Sequence, residues 1–170
     1  MNRITHAIAQ AYNRFANISS GMASPFLLLV RLYWGWQLMQ TGLGKLNHLA
    51  QATQFFASLG IPAPAATALF VGCVELFGGL LLIVGLVSRL TGVVLTINML
   101  VAFFTADREA LFSIFSDPGK FYGAAPYTFL FASLLVLIFG PGAVSLDRWL
   151  ARRFEARSDS SEAGAIRRAA

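Results

Sequence analysis

Charge is scarce in this chain. Asp, Glu, Lys and Arg make up 12% of its 170 residues, against about 25% in a soluble domain. Cysteine is nearly absent, with Cys73 the single thiol. One thiol excludes an internal disulfide, a C-x-x-C redox pair and the usual zinc or iron–sulfur ligand sets, and a buried lone cysteine behaves as a small hydrophobe. The two histidines, His6 and His48, have no partners at ligand spacing, so no metal site is assigned. Acids are almost missing from the apolar stretches, where Glu75 stands alone. A proton relay, which needs several ionisable groups in series, finds no support in that pattern.

Apolar length is what the chain has in quantity. Hydrophobic residues make up 56% of it and mean hydropathy is +0.64. They gather in four runs, Pro25–Leu46, Ala65–Val87, Leu90–Ala106 and Ala124–Gly140. A bilayer's hydrocarbon core takes about 20 helical residues to cross. The expected fold is therefore an all-α integral membrane protein, four transmembrane helices in an antiparallel bundle with amphipathic interfacial helices beside them.

The net charge of +5 and pI near 10 raise nucleic acid as a partner, and the positions exclude it. Arg148, Arg152, Arg153, Arg157, Arg167 and Arg168 follow the last run, and Arg3 and Arg14 precede the first. Such flanks mark the cytoplasmic side and meet anionic lipid. The 47–64 connection has no Lys or Arg, and 107–123 has two among three acids. Both termini are accordingly expected in the cytoplasm.

Three segments follow. Residues 1–21 carry Ile4, Ile8, Ala11, Tyr12, Phe15 and Ile18 at helical spacing, which predicts an amphipathic surface helix. Residues 25–147 form the four-span domain. Residues 148–170 form a basic cytoplasmic tail, disordered after about residue 154 for want of apolar residues. Within the domain, 47–64 and 107–123 predict short interfacial helices. Pro62 and Pro64 open the second span, and Gly140-Pro141-Gly142 stops the fourth. Ser145 or Asp147 then caps a short helix anchored by Trp149.

Polar residues in the runs fall on shared helix faces. Arg31, Gly35, Leu38, Gly42 and Lys45 line one face of the first span. Gly72, Glu75, Gly79, Leu82, Leu86 and Arg89 line one face of the second, and Asn98 lies on the third. Gly35, Gly42, Gly72 and Gly79 permit close helix approach. A buried carboxylate costs about 2.5–3.5 kcal/mol on insertion scales and needs a partner. Arg31 and Lys45 are the candidates, with Gln37 level with Glu75 on another face. Two uses of this seam stay open: an ion pair that fixes helix register, or a polar pocket that binds or transports a small molecule through Arg31, Glu75 and Lys45.

Several motifs in order resemble the DoxX family of small bacterial membrane proteins. They are Arg31-x3-Gly35 with Gly42-x-Gly44-Lys45, Val74-Glu75-Leu76-Phe77-Gly78-Gly79-Leu80, Gly85-Leu86-Val87-Ser88-Arg89, and Gly140-Pro141-Gly142-Ala143-Val144-Ser145-Leu146-Asp147. The resemblance implies a four-helix protein of the bacterial cytoplasmic (inner) membrane. It also implies an accessory role in a membrane oxidoreductase or a quinone-linked oxidative-stress system. No catalytic residue is assigned, because the chain lacks the side chains of a self-contained redox centre. The resemblance leaves open a quinone as cofactor, an oxidoreductase as partner and a homo-oligomer.

Overall fold

The computed structural model describes the backbone of residues 3–154 and the side chains from residue 10 onward, residues 11, 17 and 18 excepted. Every regular element among the described residues is a helix. They are α1 (Arg3–Asn47), α2 (Leu49–Ser58), α3 (Pro64–Val84), α4 (Ser88–Thr105), α5 (Arg108–Phe112), α6 (Pro118–Gly123) and α7 (Ala125–Phe139), with a further helical stretch at 146–154. The expected disorder beyond residue 154 and much of the expected N-terminal apolar face lie outside the described residues.

Among the described residues three helices are long and apolar enough to cross a membrane: Tyr12–Asn47 within α1, Pro64–Val84 and Ser88–Thr105. Helix α7, with 15 residues, reaches about 22 Å at 1.5 Å per residue. Helix α1 passes through Pro25 without a break, so the expected separate surface helix and the first apolar run are one helix of 45 residues.

Proline and glycine set the other boundaries. Pro64 starts α3 at a position where its missing N–H costs nothing. Gly85 ends α3 with φ of +70°, its N–H donating to the Leu81 carbonyl at 2.8 Å. Val87, at φ +49°, is a β-branched residue in the left-handed region, a strained conformation that needs support from elsewhere. The chain turns there directly into α4. On α7, Gly140 takes φ +77° and closes the helix.

The packing is reversed relative to a soluble protein. Gly72, Glu75, Gly78 and Gly79 are buried on α3, while Phe70 and Phe77 point outward at 66% and 58% exposure. Large apolar side chains also face out on α1, α4 and α7, as expected for surfaces that meet lipid. Helix α1 packs on α3, α4 packs on α7, α2 lies against α3, and α3 also meets α4 as α1 meets α7. Leu38, Leu82, Leu95, Met99 and Val136 form the central apolar cluster. At the end bearing α5 and α6, a second cluster centres on Phe103, whose ring stacks on Phe121 at 5.3 Å.

Glycines set the distance between α1 and α3. A Cβ on Gly79 would lie 2.5 Å from the Gly35 carbonyl oxygen and 2.6 Å from the Met39 nitrogen. One on Gly42 would lie 2.7 Å from the Gly72 oxygen. Both clashes are with backbone, which cannot rotate away. Gly42→Ala should therefore lower the melting midpoint in detergent, at a cost of about 1–3 kcal/mol for overpacking. Gly44→Ala, where a Cβ would meet nothing within 4 Å, should leave that midpoint unchanged or raise it slightly. Equal midpoints for both variants would contradict this packing.

Candidate functional site

The charged residues of the apolar helices separate into two sites. Arg31 is buried to 1% exposure on the face of α1 toward α3 and α7. Its Nε donates to the Leu82 carbonyl at 2.8 Å and one terminal nitrogen to the Ile83 carbonyl at 3.0 Å. The other terminal nitrogen donates to the Val144 carbonyl at 2.8 Å and to the Pro141 carbonyl. The last carbonyls of a helix have no partner within it, and Gly140-Pro141-Gly142 cannot supply helical N–H groups to its own loop. A planar guanidinium with five donors is suited to answer several such carbonyls at once.

The 140–147 loop is held at two more points. The Ala143 N–H donates to Ser24 Oγ of α1 at 3.1 Å. Asp147 accepts from the Val87 N–H at 2.6 Å and the Ser88 N–H at 2.8 Å, and its own N–H donates to the Gly85 carbonyl at 3.0 Å. Asp147 thus caps α4 from outside and holds Val87 in its strained conformation. The short helix after the loop is capped by Ser145, whose Oγ accepts from the Arg148 N–H at 3.2 Å. Arg153 lies over the Trp149 ring at 4.4 Å from its centre.

Glu75 lies near the middle of α3, about 16 Å from its start and about 14 Å from its end. Its carboxylate pairs with the Lys45 ammonium and accepts a long hydrogen bond of 3.5 Å from the Asn98 amide of α4. Lys45 reaches inward from the last turn of α1, so three helices meet at one carboxylate. The side chain of Glu75 is 7% exposed and that of Lys45 28% exposed. The open side of Lys45 faces a shallow groove lined by Thr41, Gly44, His48, Gln51, Ala52 and Phe55.

The continuous seam expected from the sequence is therefore divided. Lys45, Glu75 and Asn98 come together, whereas Arg31 bonds to backbone at the opposite end of α1's apolar stretch. Gln37 is exposed and faces away from Glu75. Arg89 is not on α3 at all, because Gly85 ends that helix and Arg89 falls in the first turn of α4, exposed and beside Gly140. Sequence reasoning missed the backbone acceptors of Arg31 and the role of Asp147 at α4. A signal for the first was present: the Gly85 and Gly140–Gly142 breakers each leave carbonyls in need of a donor. Among the described residues no group of three or more His, Cys, Asp or Glu is placed to hold a metal.

These features define a membrane protein, helical in its regular elements among the described residues, whose buried Arg31 and Glu75 both find partners within the chain. The DoxX profile matches residues 26–108. The uncharacterized membrane protein Rv3486 of Mycobacterium tuberculosis (strain ATCC 25618 / H37Rv) is 33% identical over 141 residues, covering 76% of this chain and 83% of the relative. The chain belongs to the DoxX family. A Bacillus subtilis (strain 168) protein named "Putative oxidoreductase CatD" is 33% identical over 85 residues, 50% of this chain and 62% of the relative. No solved structure matches the chain at a significant level.

Asp147 makes the fold sensitive to acid. Burial raises the pKa of its carboxyl, but the Ser88 and Val87 bonds and the Arg31 charge outweigh that, holding it below the ordinary 3.8. A depressed folded-state value contributes stability above the unfolded value, and the contribution is lost as pH falls through the folded one. Melting in detergent should thus show a loss below about pH 4 that Asp147→Asn reduces. Parallel curves for the two proteins would exclude this role.

Proposed function

We propose that this chain is an accessory, non-catalytic subunit of a bacterial inner-membrane oxidoreductase system. The observation that carries this reading is the internal pairing of its intramembrane charges. Arg31 bonds to four carbonyls and Glu75 to Lys45 and Asn98, so the groups that could do chemistry hold helices instead. The name of CatD supports the link to oxidoreductases. Arg31 offers a quinone carbonyl little, since its donors go to four backbone carbonyls, whereas Lys45 spends one N–H on Glu75 and keeps an open side to the groove. Any quinone contact in this reading falls at that groove or on a partner.

In the same proposal four helices cross the membrane as an antiparallel bundle, with α7 as the fourth beside α4. Both termini face the cytoplasm, where basic flanks gather. The first turns of α1 continue the first span beyond the membrane on the cytoplasmic side as one helix, residues 25–147 form the membrane domain, and the basic tail docks the partner. Trp149 with Arg148, Arg152 and Arg153 on 146–154 provides the aromatic and basic pairing that suits an anionic bilayer surface.

Purification of the full chain from native membranes in mild detergent tests the proposal. An oxidoreductase should co-purify, and truncation after residue 154 should release it. Glu75→Gln should lower the melting midpoint while leaving partner recovery intact. Recovery of the chain alone, or loss of the partner in a Glu75→Gln protein with an unchanged midpoint, would count against the accessory role.

A further inference from the structure

Two glutamines on α1 point out of the molecule at mid-depth of its apolar helices. Gln37 and Gln40 are exposed, and no hydrogen bond joins either amide to another described residue. Their depth follows from the α1–α3 register: a Cβ on Gly79 would meet Leu38 and the Met39 nitrogen, and one on Gly42 would meet the Leu76 nitrogen. Gln37 thus lies about level with Leu80 and Gln40 with Phe77, both within the apolar length of α3, where water is absent in a bilayer. A carboxamide exposed to hydrocarbon without a partner is unfavourable.

The glutamines share a face with Thr41, Gly44 and His48 at helical spacing. Gly44 is distinctive on that face. Gly35, Gly42, Gly72 and Gly79 each lie where a Cβ would come within 3 Å of another helix, while Gly44 meets nothing within 4 Å. Its missing side chain has no use inside the chain. Polar side chains beside a small residue on an outward face are the means by which membrane helices associate.

The occupant this face fits is a second copy of itself. A carboxamide is both donor and acceptor, so a strip of them is complementary to its own image across a two-fold axis. Lys45 pairs with Glu75 and opens onto the Thr41, Gly44 and His48 end of the strip, so the two carboxamides form its self-complementary part. Tyr33 and Trp36, 59% and 55% exposed, flank it with broad apolar surface. We propose that α1 carries a homodimer interface in which Gln37 and Gln40 of two copies pair across a two-fold axis near Gly44.

Cross-linking in liposomes tests this. In a Cys73→Ala background, Gln40→Cys should oxidise to a disulfide-linked dimer, and Val101→Cys, at an exposed position of α4, should not. Gln37→Leu with Gln40→Leu, and separately Gly44→Leu, should weaken dimerisation about tenfold while the melting midpoint of the monomer in detergent is retained. Equal cross-linking at both cysteines, a chain that stays monomeric in liposomes, or dimerisation indifferent to all three replacements would overturn the proposal. So would a bound lipid or a different protein recovered on this face in place of the second copy.

Discussion

A guanidinium inside an apolar helix must find acceptors, and the acceptors Arg31 finds determine how the ends of α1, α3 and α7 meet. Gly85 stops α3 and leaves the Leu82 and Ile83 carbonyls without helical donors. Gly140-Pro141-Gly142 stops α7 and does the same for the following loop. Arg31 answers both sets from α1, so two helix terminations that would each be unfavourable in a membrane become one joint. Hydrogen bonds to a charged group contribute about 1.5–3 kcal/mol each when the alternative is an unsatisfied partner. Asp147 extends the joint by capping α4 beside it.

The second constraint lies toward the other end of α1. There the Lys45–Glu75 pair with Asn98 ties α1, α3 and α4 together, and the glycine contacts keep α1 and α3 near backbone distance along the interval between the two joints. A buried pair of this kind is weak evidence for net stability, yet it discriminates against shifted packings. A slide of α1 by one turn would strand Glu75, and it would also bring Cβ atoms into the glycine contacts. Pinned at both ends, the α1–α3 pair resists shear, which suits a scaffold more than a moving carrier.

The helical class and the helix boundaries are legible in the sequence because apolar run length and helix breakers act locally. The 23-residue run Ala65–Val87 became a helix that starts at Pro64 and ends at Gly85, and the proline-rich 60–64 segment separated α2 from α3. The site was legible only in part. Side-chain spacing places Glu75, Lys45 and Asn98 on facing surfaces, but Arg31 bonds to carbonyls, which every residue possesses and no residue type advertises. Two of them lie 110 or more positions away in sequence. Arg89 was assigned to the wrong helix because periodicity runs through Gly85 on paper, whereas the left-handed turn there ends the helix. Helical spacing puts Gln37 on a different face from Arg31, and that this face points outward depends on which face of α1 the glycines commit to α3.

The central claim is that Arg31 and the Lys45–Glu75 pair of this DoxX protein hold its helices together. An experimental density map of the full chain in a lipid nanodisc, with native lipids retained, tests it most directly. The account predicts Arg31 within hydrogen-bonding distance of the Leu82, Ile83 and Val144 carbonyls, and continuous density between Lys45 and Glu75. Arg31 or Glu75 turned instead onto a bound molecule, or a water-filled path between them, would contradict it.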